Sequence, residues 1–396
     1  MVLTDKKVWT WHSGLDADLY KIRKHLHQNP ELSFQEFETS QYICSWLDHW
    51  GIPYKKICET GVIVDIWGEM GEGPQIALRA DVDALPINER TGLSFSSKKS
   101  NVMHACGHDG HTTILLGAVY HLWHYKSQLK GMVRCIFQPG EEAEGAAKKM
   151  IEEGVLDNPQ IQEMIALHLW PKLPLGTIGI KTEGVTASCD DFSIEIRGKG
   201  GHAARPHQAV DAIAIGAEVI KSLQFLSAKN QDPVDPLVIH VGKINGGSAN
   251  NAVADKVTIE GTIRTISTNA RTDIKSKFLK LISGIIEQYG GEVNINYVDG
   301  HPAVINDLKV TDKVIKSAAR IIGENHIIKL PSPSMGADDF GFYSEKIPST
   351  YFRLGIAEEN QEFYDLHHPK FQFDESVIPI GAQIFIEYAM NCLKGE

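Results

Sequence analysis

The chain has no long hydrophobic run, no paired-cysteine motif and no excess of positive charge. None of its apolar stretches approaches the roughly 20 residues of a membrane-spanning helix, so no membrane association is expected. Its 39 Lys and Arg against 50 Asp and Glu give a formal net charge of −11. Nucleic acids and anionic membranes select clustered cations, and both are excluded as general partners. An anionic small molecule needs only a local arginine. Six cysteines, Cys44, Cys58, Cys106, Cys135, Cys189 and Cys392, are scattered without a CxxC spacing. Free thiols in a reducing cytoplasm are the simplest reading. The stretch Met1–Lys7 has no apolar core behind its charges, unlike a secretory signal. There is no internal repeat and no low-complexity segment.

What is present is enough chain, 396 residues, for two cores. Leu15, Leu19, Ile22 and Leu26 recur at helical spacing, and a second helix is expected from about Phe34 to Trp50. Short apolar runs follow at Val62–Ile66, Ile76–Ala80, Met132–Phe137 and Met164–Leu167, with helical stretches expected at about 112–128 and 143–153. That alternation predicts an α/β layer with a mostly parallel sheet. From about residue 185 the texture changes. Phe192, Ile194 and Ile196 alternate, as do Leu237, Ile239 and Val241, then Val257, Ile259 and Ile263, then Val293, Ile295 and Tyr297. Helices are expected over 211–226 and 274–289. The order β-α-β-β-α-β is that of a ferredoxin-like unit. The expected organisation is a catalytic domain over 1–184 and 300–396, interrupted by an inserted domain over 185–299.

The densest chemistry is His104-Ala105-Cys106-Gly107-His108-Asp109-Gly110-His111. Thiol, imidazole and carboxylate so close together suit a borderline-soft divalent metal such as zinc. A Cys nucleophile activated by His is the alternative. Glu141-Glu142 follows a strand and precedes a helix, where acidic residues are also ordinary decoration. In a metal site such a pair can divide labour, one carboxylate ligating and the other taking a proton from bound water. His168 ends a strand, and His367-His368 lies near the C-terminus. A lone histidine at either place is more often structural than a ligand. Ligands in open α/β sheets bind beyond the carboxyl ends of strands, and Asp81, Asp83, Glu141, Glu142 and His168 all follow strands.

These residues resemble the aminoacylase/carboxypeptidase metallopeptidase family, in its branch of N-acyl-amino-acid amidohydrolases, hippurate hydrolases and auxin-conjugate hydrolases. The resemblance runs nearly end to end. It includes Leu78–Pro86, His104–His111, Phe137–Glu142, Gly198–His202, Gly261–Arg264 and His367-His368-Pro369. It implies a zinc-peptidase-like catalytic domain, an inserted lid that dimerises, and two divalent metal ions (Zn, Mn, Co or Ni). By resemblance the ligands are Cys106, His108, Glu142, His168 and His367, with His368 as an alternative to His367. Cys106 replaces a bridging carboxylate, and Arg79 stands where other branches carry a histidine ligand. Glu141 matches the general base, and Asp81 and His111 resemble residues that orient ligands. His202 matches a residue that completes the site, in many relatives from the partner subunit. Asn251 and Arg264 resemble groups that hold a substrate carboxylate, although Arg264 could equally serve a cross-strand ion pair.

The chain departs from the family at Asn251-Ala252-Val253-Ala254-Asp255, at Ala337-Asp338-Asp339-Phe340 and at Gly140, a common Ala. None removes an implied ligand; the second bears on acyl specificity. The implied reaction is hydrolysis of an N-acyl amino acid to a carboxylate and a free amino acid by a cytoplasmic homodimer. A dipeptidase or carboxypeptidase of the same chemistry, a non-catalytic metal-binding homologue and a cysteine hydrolase are the alternatives.

Overall fold

The computed structural model describes residues 9–143, 145–229, 232, 235–358 and 363–394. The stretch Met1–Lys7 lies outside the described residues. Two compact units emerge. The first is Met1–Glu183, Ile305–Ser332 and Phe342–Glu396, and the second is Gly184–Val304 with Pro333–Gly341.

In chain order the first unit supplies α1 (Asp16–Gln28), α2 (Phe37–His49), β1 (Lys55–Ile57), β2 (Gly61–Trp67) and β3 (Gln75–Asp81). It continues with α3 (His108–His124), β4 (Met132–Gln138), α4 (Ala146–Glu152), β5 (Glu163–Pro174) and β6 (Ile178–Ile180). The second unit supplies β7 (Cys189–Arg197), α5 (Ala212–Lys229), β8 (Leu237–Gly246), β9 (Lys256–Thr265), α6 (Thr268–Tyr289) and β10 (Glu292–His301). The first unit then resumes with α7 (Leu308–Ile322), β11 (Ile327–Lys329), β12 (Ser349–Ala357) and α8 (Val377–Leu393).

The first unit is a mixed α/β layer around a sheet ordered β1-β2-β4-β3-β5-β12-β6-β11. Its middle, β4-β3-β5-β12, is parallel throughout. Antiparallel pairs join β1 to β2, β2 to β4 and β12 to β6. Strand β4 is buried along its whole length, as its mostly apolar sequence suits a strand covered on both faces. Its charged member, Arg134, is satisfied by Asp65 at 2.7 Å and by the carbonyls of Val155 and Asp157. Helix α3 is apolar nearly all round and buried to match. It packs closely on α8 because Gly381 leaves room for Ile114, and Gly117 for Ala382.

The structure corrects two helix starts. Helix α6 begins at Thr268, not near residue 274. Helix α3 begins at His108, not near residue 112, and ends at His124. Gly107, at φ 89°, starts it from a left-handed turn, which glycine adopts without strain. His108 and His111 therefore share the first helical turn, three residues apart on one face.

The second unit is an antiparallel sheet ordered β8-β9-β7-β10, with α5 and α6 between its strands in the chain. Ile194, Ile196, Ile259, Val219, Phe278 and Ile282 form its buried core. Segment 333–341, expected with the C-terminal catalytic stretch, groups with this unit. The Ser334 N–H donates to the Val185 carbonyl, and the Ala187 N–H to the Gly336 carbonyl, both at 2.9 Å. The unit also runs on to Val304, past the expected boundary at 299. Among the described residues no helix is long and apolar enough to cross a membrane.

Candidate metal centre

Three strand ends and one helix start converge in the first unit. Strand β3 delivers Asp81 and Asp83, and β4 leads through Pro139-Gly140 to Glu141 and Glu142. Strand β5 carries His168, and Cys106 and His108 stand at the start of α3. The donor atoms of Cys106, His108 and His168 lie within 4.8 Å of one another. The same limit holds for Cys106, Glu142 and His367, and for His108, Glu141 and Glu142. Cys106 and Glu142 thus belong to two overlapping groups. Of the adjacent histidines, His367 turns to Glu142, its Nε2 3.3 Å from Oε1. His368 instead stacks on Tyr364 at 4.6 Å between centroids, and its Nδ1 accepts the Lys370 N–H.

Hydrogen bonds fix which nitrogen each imidazole offers. His108 Nδ1 faces the carbonyl and carboxylate of Asp83 at 3.0 and 3.1 Å, which places its proton there. Among the described residues its Nε2 makes no hydrogen bond, and neither does Oε1 of Glu142, 3.8 Å away. His168 Nδ1 donates to the Leu169 carbonyl at 2.7 Å, leaving Nε2 3.3 Å from the Cys106 sulfur. His111 has neither nitrogen to spare: Nδ1 bonds Asp81 at 2.6 Å, and Nε2 accepts the Leu169 N–H at 2.9 Å. Arg79 holds the other oxygen of Asp81 at 2.6 Å and bonds Gln138 at 3.0 Å. Arg79 therefore serves a carboxylate rather than the cluster directly.

Charge explains the titration of these groups. Burial works against a charged His108, but Asp81, Asp83 and Glu142 outweigh it and raise its pKa to about 10. Burial, then Glu142, Glu141 and Asp81, push the Cys106 thiol well above its ordinary value. Burial, with His111 and His108 nearby, holds His168 well below its usual range. A thiol kept protonated by carboxylates is a poor nucleophile. A divalent cation would reverse that balance, because its charge favours thiolate and neutral imidazole. Two orphaned buried donor atoms beside a thiol, imidazoles and carboxylates fit such an ion.

Two further residues support the site: Asp83, whose place after a strand already put it there, and Glu36. Asp83, fully buried, orients His108 through one oxygen. Its other oxygen accepts from Ser33 at 2.7 Å and from the Glu142 backbone N–H at 2.9 Å. The Asp81-Val82-Asp83 repeat after a strand was its only signal. Glu36 accepts the Gly140 and Phe34 N–H groups at 2.8 Å and the Thr60 hydroxyl at 2.9 Å. It braces the turn before Glu141, where Gly140 sits at φ 61°; glycine suits that conformation better than the family's common alanine. Nothing local in the sequence marks Glu36. His104 is buried with neither ring nitrogen partnered, and burial lowers its pKa to about 4.

The remaining expected residues lie in the second unit. His202 is exposed on a short strand, Gly201–His202, paired with Ala252–Val253, which follows Asn251. The Asn251 carbonyl accepts the Ala203 N–H at 3.1 Å. Arg264 is half-buried on β9 and donates to the Met335 carbonyl at 3.4 Å. The expected segment Ala337–Phe340 belongs to this unit as well.

A mostly parallel sheet that gathers thiol, imidazole and carboxylate donors beyond its strand ends defines a metallohydrolase architecture. Residues 77–391 match the family described as peptidase family M20/M25/M40, and the chain belongs to that family. The N-acetyl-L-cysteine deacetylase of Bacillus subtilis (strain 168) is 42% identical over 389 residues, covering 97% of this chain and 90% of that protein. An N-acetylcysteine deacetylase of the same organism is 38% identical, covering 95% of this chain and 97% of that one. A solved Bacillus subtilis protein described as a dinuclear metal-binding peptidase of the M20 family has a TM-score of 0.85 at 35% identity, covering 96% of this chain and 99% of that one.

The Glu36 brace generates a prediction about pH. Burial, then the charge of Asp83, raises the Glu36 carboxyl from 4.5 to about 7 despite its hydrogen bonds. The folded state therefore binds this proton more tightly than the unfolded state. The contribution is fully present below pH 4.5 and is lost as pH rises toward 7. Glu36→Gln keeps an acceptor for both N–H groups and removes the titration. Urea unfolding at pH 4.5 and 7 should show a stability difference smaller by roughly 2–3 kcal/mol in the variant. Equal differences in the two proteins would show that Glu36 does not carry this titration.

Proposed function

We propose that this protein is a metal-dependent amidohydrolase that cleaves N-acyl amino acids to a carboxylate and a free amino acid. The observation that carries the reading is the convergence of Cys106, His108, Glu142, His168 and His367, with unpartnered His108 Nε2 and Glu142 Oε1, beside Glu141. Those five side chains would hold two divalent cations. Zinc fits the donor set best; manganese, cobalt and nickel are the alternatives. Bound there, the metal supplies a water acidified toward a pKa of about 7 and polarises the scissile carbonyl.

The chain's own groups divide the remaining work. Glu141 takes the proton from the attacking water and passes it to the leaving amine. Asp83 and Asp81 hold His108 and His111 in orientation. In the second unit, His202 is assigned to oxyanion stabilisation, and Arg264 with Asn251 to the substrate α-carboxylate. That unit is assigned the lid and dimerisation role. The six unpaired cysteines agree with a reducing cytoplasm. The two deacetylase relatives support acyl amino acids over dipeptides as substrates. Assay of acetyl-, benzoyl- and indoleacetyl-amino acids beside dipeptides separates the two classes, and exclusive turnover of dipeptides would overturn the assignment.

Four outcomes test the roles. Glu141→Gln should keep its metal while kcat falls by roughly 10²–10⁴-fold, the usual size of general acid–base catalysis. Glu142→Gln should instead weaken metal binding, because a neutral amide is a poorer ligand for a dication. Metal analysis with kinetics on both variants decides the matter, and the reverse pattern exchanges the two roles. Arg264→Ala should raise KM for N-acyl amino acids far more than for the corresponding C-terminal amides, since a guanidinium matches a carboxylate in two parallel bonds. Equal effects on both substrates would make Arg264 structural. Light scattering at assay concentration should give a dimer, and a monomer alone would remove any contribution of His202 from a partner subunit.

A further inference from the structure

Most buried arginines described in this protein are spoken for by carboxylates. Arg79 bonds Asp81, Arg134 bonds Asp65, and Arg23 bonds Asp109 and Glu375. Arg353 differs. It is 5% exposed, and its Nε and Nη2 are buried with no hydrogen-bond partner among the described residues. Burial pushes its pKa down, and the influence opposing this is Tyr351 rather than a carboxylate.

Its position is informative. Arg353 on β12 is in register with His168 on the parallel neighbour β5. In-register residues of adjacent strands project from the same face of a sheet, so the guanidinium shares the face of His168. Its Cζ lies over the ring of Trp170, 3.8 Å from the centroid, and that ring is 6.0 Å from the His168 ring. These separations keep the guanidinium within one extended acyl amino acid of the metal donors. A buried cation without a counter-charge is strongly unfavourable, and stacking on an indole returns only part of that. The aromatic face does fix the plane of the fork, which prepares it for a planar, bidentate anion.

We propose that Arg353, held by Trp170, is a carboxylate receptor beside the metal centre, and that it takes a second carboxylate of the substrate. The substrate class is then a dicarboxylic N-acyl amino acid. This rests on the amidohydrolase reading above, in which Arg264 and Asn251 take the α-carboxylate. The second carboxylate can come from the acyl group, as in a succinyl amide, or from the amino-acid side chain, as in an acylated glutamate.

The experiment uses the metal-loaded full chain. N-succinyl-methionine, N-acetyl-glutamate and N-acetyl-methionine are compared as substrates. Succinate, glutamate, acetate and methionine are titrated by calorimetry. One diacid substrate should be preferred over N-acetyl-methionine, and which one identifies the source of the carboxylate. Arg353→Met should cut that preference by roughly 10- to 100-fold, the size of a lost charge-assisted hydrogen bond, acting mainly on KM. Arg353→Lys should restore part of it. The matching diacid product should bind and raise the melting temperature of wild type but not of Arg353→Met. Without ligand, the Met variant should melt no lower than wild type, since it removes an unpaired buried charge. A lower melting point with unchanged diacid preference would make Arg353 structural and overturn the proposal. So would equal losses on the mono- and diacid substrates. If wild type hydrolyses none of the three amides, the amidohydrolase reading is what fails; the diacid titrations then decide on Arg353 by themselves.

Discussion

The burial of four carboxylates beyond the ends of β3 and β4 is the constraint on which the rest of the site depends. Asp81 and Asp83 are fully buried, and Glu141 is 8% exposed; the Glu142 side chain is 10% exposed. Such a concentration of negative charge is sustained only by partners. The inner pair finds them in the chain itself. Asp81 has Arg79 and His111, and Asp83 has His108, Ser33 and the Glu142 backbone. In the outer pair, Glu142 Oε1 makes no hydrogen bond among the described residues and faces His367 Nε2 at 3.3 Å and His108 Nε2 at 3.8 Å. Carboxylates that orient are thus separated from one open to a cation by whether the protein has already neutralised them.

The same balance accounts for the thiol. A reactive cysteine sits among positive charges, which lower its pKa; for Cys106, burial first and then the surrounding carboxylates raise it. Its neighbours favour a ligand whose proton leaves when a dication arrives over a nucleophile poised by histidine. Arg79 takes part indirectly: it compensates Asp81, and Asp81 fixes His111, whose Nε2 holds the β5 backbone at Leu169.

Backbone turns deliver the donors. Gly107 at φ 89°, Gly140 at φ 61° and His367 at φ 65° all lie in the left-handed region. Each immediately precedes or carries a side chain of the cluster. Glycine adopts this conformation freely, but a histidine does so only when its surroundings impose it. The His367 N–H is tied to the Ala105 carbonyl at 2.8 Å, which binds that loop to the segment leading into α3.

Much of this protein was legible in its sequence because the relevant signals are local. The apolar runs of β2, β3 and β4, the alternation along β7 and β9, and the donors packed between His104 and His111 each depend on near neighbours. Helix α3 was misplaced by a turn because its first residues are the polar, metal-type ones, which interrupt the apolar period that marks a helix. Only the tertiary structure decided that His367 and not His368 faces Glu142, and that His111 spends both nitrogens on Asp81 and Leu169. It also decided that Asp83 and Glu36 brace the acidic turn, and that Arg353 is buried with no acid paired to it among the described residues. These outcomes depend on hydrogen bonds and charges between residues far apart in the chain. A side chain's role there follows from which atoms the fold brings to it, and no periodicity or spacing in the chain encodes that.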